Sequence, residues 1–192
     1  MKKSESLVTT GNTVLLALAK GVCPICSLVR AFQNEIIERL QPNDASRVCN
    51  YHAWAIAASA PASSVAAVFL SMLRGANSEK GQKEHIDCDL CWAIREHEMA
   101  RLHEFAHEMQ RRKFAEWLER FGTLCRFHGA VLRRKLPEEH AQIVAKVTEN
   151  NQHQLEELLE TFAAQAQSGG HAGGGILGRA AEFLVAQRGL TR

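Results

Sequence analysis

Apolar positions along the chain recur with a helical period, and no segment alternates apolar and polar residues as a strand does. A weak first helix spans 5–20 and is interrupted by Gly11. Pro24 suits the first turn of a helix that runs to about Leu40 and stops at Gln41-Pro42-Asn43-Asp44. A helix after Cys49 ends near Ala60, because Pro61 follows. Another covers 62–74 and closes at Gly75, and a polar connector fills 75–86. Residues 87–121 contain neither Gly nor Pro and are rich in good helix formers, which predicts one long helix ending at Gly122. A helix follows Cys125 as far as Pro137, and a long one spans 137–167. The Gly-rich stretch 168–175 reads as a flexible linker. A short terminal helix, 176–187, places Ala180, Phe183 and Leu184 on one face. The fold class expected is all-α, a helical bundle.

The cysteines add a second pattern. Cys23-Pro24-Ile25-Cys26 is followed by Cys49-Asn50-Tyr51-His52, and Cys88-Asp89-Leu90-Cys91 by Cys125-Arg126-Phe127-His128. All six cysteines fall into this scheme. In each copy a CxxC opens one helical pattern and a CxxH opens the next, so the chain reads as a duplication. The repeats span about 20–75 and 85–136. Together with the helix to 167 they make one domain, 1–167, followed by the linker 168–175 and the terminal helix in 176–192.

CxxC bends the chain so that two thiolates lie close together, and a Cys/His pair completes a tetrahedral shell of the kind zinc prefers. Helix N-termini add partial positive charge that stabilises thiolate. Two CxxC motifs, each followed by CxxH, therefore point to two metal ions, zinc by preference. Buried inert thiols are the plain alternative, but they leave the pairing with His52 and His128 unexplained. A dithiol redox reading of Cys23-Pro24-Ile25-Cys26 would need strands before the motif, and none is apparent.

Helix length suggests which half-sites meet. A single helix over 88–121 is ~50 Å long, and three residues from its end to Cys125 reach at most ~10 Å. Cys88 and Cys125 then cannot share an ion. The first repeat spans a comparable distance, with ~21 Å of helix and a link of up to ~27 Å. An antiparallel arrangement puts Cys23 and Cys26 beside Cys125 and His128, and Cys49 and His52 beside Cys88 and Cys91. A helix break near Met109, or exchange between subunits, would defeat this argument.

Other features carry less. Glu104 and His107 have the ExxH spacing of di-iron bundles, but no second ExxH is present. Arg111, Arg112, Lys113, Arg120, Arg126, Arg133, Arg134 and Lys135 could meet phosphates, yet Glu116, Glu119, Glu138 and Glu139 are interspersed among them. The formal net charge of +2 neither demands nor excludes nucleic acid. Hydrophobic residues at 46% fit a globular chain. The apolar run 14–19 is too short for a secretory signal, and no stretch approaches a membrane span. The expectation is a cytoplasmic protein, where reduced thiols favour metal over disulfides.

The order CPxC, CxxH, CxxC, CxxH, with Arg179-Ala180-Ala181-Glu182-Phe183-Leu184 near the end, resembles a bacterial family of unknown function with duplicated motifs of this type. The resemblance covers most of 20–187 and implies a helical metal-binding protein without supplying an activity. The family pattern often has Gly-Phe before CxxH; here Arg47-Val48 and Thr123-Leu124 stand there. The sequence thus suggests a binding or adapter module with structural zinc and no evident catalysis, whose partner is another protein or a second copy of the chain. Iron–sulfur or dithiol redox chemistry and nucleic-acid binding are the alternatives.

Overall fold

The computed structural model describes residues 22–41, 48–59, 62–76, 88–167 and 175–185. Among them are eight helices and no strand. They are α1 (Pro24–Glu38), α2 (Asn50–Ser59), α3 (Ala62–Ala76), α4 (Asp89–Glu108), α5 (Arg112–Phe121), α6 (Arg126–Lys135), α7 (Glu138–Gln167) and α8 (Gly175–Val185). The fold is all-α, with no strand beside the CPIC motif among the described residues. The helix expected over 5–20, the stop after Gln41, most of the connector 75–86 and most of the linker 168–175 lie outside the described residues; where they are described, α3 runs through Gly75 to Ala76 and Gly175 already belongs to α8.

The single long helix expected over 87–121 is instead two helices. Gln110 and Arg111 donate to the carbonyls three residues back, at 3.1 and 2.9 Å, and Arg111 is extended at φ −86° and ψ 113°. No Gly or Pro marks this turn, so tertiary packing must supply the reason. In a straight helix Phe105 and Phe114, nine residues apart, would lie on opposite faces and ~13 Å apart along the axis. Across the turn their rings meet edge to face with centroids 5.3 Å apart. Phe105, Met109, Ala115 and Leu118 are all buried around it. Burying these side chains outweighs one lost turn of helix.

The chain divides into two compact units, one formed by Met1–Leu28 with Ala100–Arg192, the other by Val29–Met99. In the first, α7 is the central element and packs against α5, α6 and α8. Its stripe Val144, Val147, Asn151 and Leu155 is buried at helical spacing. A Cβ on Gly129 of α6 would overlap Thr148 Oγ1, so glycine permits the close α6–α7 approach. Gly122 ends α5, yet its φ of −78° is not the left-handed cap that a glycine there suggests. In the second unit, Ile37, Leu40, Val48, Ile56, Val68, Cys88 and Leu90 form the core, and α3 packs on α2.

The candidate metal centres

All four sequence motifs adopt one local structure. Cys23, Cys49, Cys88 and Cys125 each stand immediately before a helix, and Cys26, His52, Cys91 and His128 each occupy its third residue. A residue before a helix turns its side chain back over the first turn, where backbone N–H groups have no helical partner. Cys125 Sγ accepts from His128 N at 3.4 Å, and Cys88 Sγ from Cys91 N at 3.5 Å. The spacing of two intervening residues thus aims both side chains at one point off the helix N-terminus, where the backbone dipoles favour negative sulfur.

Two such N-termini meet in each unit. Cys23, Cys26, Cys125 and His128 form one cluster; Cys49, His52, Cys88 and Cys91 form the other. Within each, all four ligand atoms lie within 4.8 Å of one another. His128 Nδ1 is 3.4 Å from Cys23 Sγ, 3.4 Å from Cys26 Sγ and 3.1 Å from Cys125 Sγ. His52 Nδ1 is 3.4 Å from Cys49 Sγ, 3.4 Å from Cys88 Sγ and 3.3 Å from Cys91 Sγ. The sulfurs of Cys26 and Cys125 are 3.7 Å apart, as are those of Cys49 and Cys91. The break after Glu108 removes the helix-length argument for this grouping, yet each CxxC still lies beside the CxxH of the other repeat.

These distances can be tested against an ion. Bonds of about 2.3 Å to sulfur and 2.1 Å to nitrogen give tetrahedral edges of ~3.8 Å between sulfurs and ~3.6 Å from sulfur to nitrogen. The Cys26–Cys125 and Cys49–Cys91 edges match, and the sulfur–nitrogen edges, 3.1–3.4 Å, are somewhat shorter. A single tetrahedral ion fits at the centre of each cluster. The separation is far beyond a disulfide bond of about 2.05 Å, and all six cysteines are free.

Electrostatics point the same way. Burial raises the Cys23 thiol most, but hydrogen bonds from Cys125 and Cys26 and the charge of His128 outweigh it and hold Cys23 well below the ordinary thiol range. Cys26 donates to Cys125, and this bond, with its contact to Cys23 and burial, pushes it far up. In the other cluster Cys91 is pushed up to about 12 by burial and its bonds to Cys49 and Cys88. Cys49 is lowered, the bonds from the His52 backbone and Cys91 outweighing its burial. Burial lowers His52, favouring the neutral ring. In each group one thiol is lowered while neighbours are raised, because like charges this close repel. A cation at the centre lifts that restriction and lets all three become thiolates.

No family model, curated protein or solved structure matches this chain. The duplicated CxxC/CxxH pattern in an all-helical fold therefore rests on the chain's own geometry.

The two clusters differ in their walls. Cys23, Cys26, Cys125 and His128 are 0–2% exposed. Asn151, buried within the apolar stripe of α7, donates from Nδ2 to the Leu124 carbonyl at 3.2 Å and braces the loop that presents Cys125. From α8, buried Phe183 together with Arg179 and Glu182 closes a cavity of about 20 Å³ against Cys23 and Cys125, room for about one water molecule. In α8 Ala180 and Phe183 face inward as expected, but Leu184 is exposed. In the second cluster Cys49 and Cys91 are only half-buried. Trp92, beside Cys91, is 62% exposed, and Trp54, two residues past His52, is 72% exposed.

Asn151 was not singled out from the sequence. The signal for Asn151 was a single polar residue in the 144/147/151/155 stripe. Glu104 pairs with Arg101 at 2.8 Å, and among the described residues neither it nor His107 joins a metal-sized cluster. Basic residues on α5 and α7 are partly neutralised by Arg112–Glu116 and Lys146–Glu119. Arg133, Arg134 and Lys135 sit in the last turn of α6, where they oppose its negative dipole end. No helix among the described residues is long and apolar enough to cross a membrane.

Proposed function

We propose that each cluster holds one zinc ion as a closed Cys₃His site, and that the protein is a zinc-stapled binding or adapter module. Cys23, Cys26, Cys125 and His128 hold the first ion; Cys49, His52, Cys88 and Cys91 hold the second. The observation that carries this reading is the pair of four-ligand clusters, each with all ligand atoms within 4.8 Å and one sulfur pair 3.7 Å apart. An iron–sulfur cluster distributes its protein ligands over two or more irons, which calls for ligands spread wider than one tetrahedron. Three thiolates and a neutral imidazole leave a zinc site with one net negative charge. Four protein ligands leave no open position for a substrate or activated water, so the ions supply structure rather than Lewis-acid chemistry. The exposed Trp54 and Trp92 supply the aromatic surface on which partner-binding sites are commonly built, and the partner is another protein or a second copy of this chain.

Metal analysis of anaerobically purified protein, with a visible spectrum, tests this reading. It expects a colourless protein with two zinc per chain, in which a strong chelator lowers the melting temperature markedly. A brown protein with acid-labile sulfide, or melting unaffected by complete metal removal, overturns it.

A further inference from the structure

The two clusters form a natural controlled comparison. Each contains a sulfur pair at 3.7 Å, Cys26 with Cys125 and Cys49 with Cys91. The first pair is 0–1% exposed, and the second is half-buried on both sides. Reaction with a dissolved oxidant depends on thiolate access, which separates two pairs of equal sulfur–sulfur distance.

A second difference concerns the histidines. A metal-bound histidine almost always donates its other ring N–H to an acceptor, and loss of that partner typically weakens metal binding about 10–100-fold. His52 faces its sulfurs through Nδ1, and its Nε2 is buried with no hydrogen-bond partner among the described residues. The second cluster thus combines two half-buried sulfurs with an imidazole that lacks a second partner among the described residues.

We propose that Cys49 and Cys91 are a peroxide-reactive pair that closes to a disulfide and releases the second ion while the first cluster stays intact; the ion release rests on the zinc reading above. One thiolate of the pair attacks the peroxide O–O bond, giving a sulfenic acid and hydroxide. The other thiolate displaces hydroxide from that sulfur and forms the disulfide. Two thiolates, one hydrogen peroxide and two protons yield one disulfide and two waters; the sulfurs lose two electrons and the peroxide gains them. His52 and Cys88 remain, two ligands where zinc needs four, and the ion departs. Reduction by a dithiol restores both thiolates and the site.

The test uses the full-length, zinc-loaded protein and hydrogen peroxide, with a chromogenic chelator reading released zinc and peptide mass mapping reading the cysteines. One zinc per chain is expected to leave at least about tenfold faster than the other. A peptide linked through Cys49–Cys91 should appear with it, and dithiothreitol plus zinc should reverse both changes. Equal release of both ions, or a Cys26–Cys125 link forming as fast, overturns the proposal. If the purified protein lacks two zinc, the zinc reading fails; the peptide map still decides the pair, because the difference in sulfur access is a property of the chain.

Discussion

Cys23, Cys26, Cys125 and His128 lie under two elements that the duplication does not contain, α7 and α8, while among the described residues Cys49 and Cys91 of the other cluster are only half-buried. The ligand types and their placement at helix N-termini are the same in both. A Cys₃His set therefore determines what can bind, and the surrounding wall determines how firmly it is kept. The two ligand sets are alike; α7 and α8 line one of them.

Removing one ligand from each cluster gives the largest expected effects. Cys26→Ser should cost the first ion and with it a large part of the binding energy, which reaches about 10–16 kcal/mol for structural zinc in small fingers. Cys91→Ser should cost the second ion. Because that ion is less enclosed, calorimetry should show a smaller fall in melting temperature than for Cys26→Ser. Equal falls would mean that the wall adds nothing.

Phe183→Ala sharpens the comparison without touching a ligand. Phe183 is 5% exposed and anchors a helix too short to be stable alone. Truncating a buried phenylalanine costs about 3–5 kcal/mol, enough to release α8. The first ion should then pass to a competing chelator at a rate close to that of the second. Unchanged kinetics with α8 detached would show that α8 does not guard the site.

Acid gives the smallest effect. Burial depresses His52 below its unfolded value of about 6.5. Its stabilising contribution is therefore complete above about pH 6.5 and is lost as pH falls through the lower folded value. Protons also compete with metal for the same Nδ1, so both effects have the same sign. Zinc content measured down a pH series should show the second ion leaving first as pH falls below about 6.5. Loss of the first ion at a higher pH than the second would contradict the ranking of the two walls.

Much of this molecule can be read from the chain alone because its chemistry is local. The CxxC and CxxH spacings need only one helix turn to become ligand pairs, and Pro24, Pro137 and Gly122 mark nearby helix boundaries. The break after Glu108 could not be read this way. It depends on Phe105 meeting Phe114 and on burial of Met109, which no propensity at 109–111 announces. The reach of a straight helix was consequently the wrong support for grouping the half-sites. The unequal walls were equally hidden. Asn151 braces Leu124 from 27 positions away, and Phe183 covers cysteines at both 23 and 125. Such contacts are properties of packing and leave only faint traces, such as one asparagine in an apolar stripe.

The claim of two single-ion Cys₃His centres is tested most directly by X-ray absorption at the metal edge of the anaerobically purified protein. The account predicts zinc with an average shell of three sulfurs at about 2.3 Å and one nitrogen at about 2.1 Å, and no metal–metal scattering. An oxygen-rich shell, or iron with a second iron close by, would contradict it.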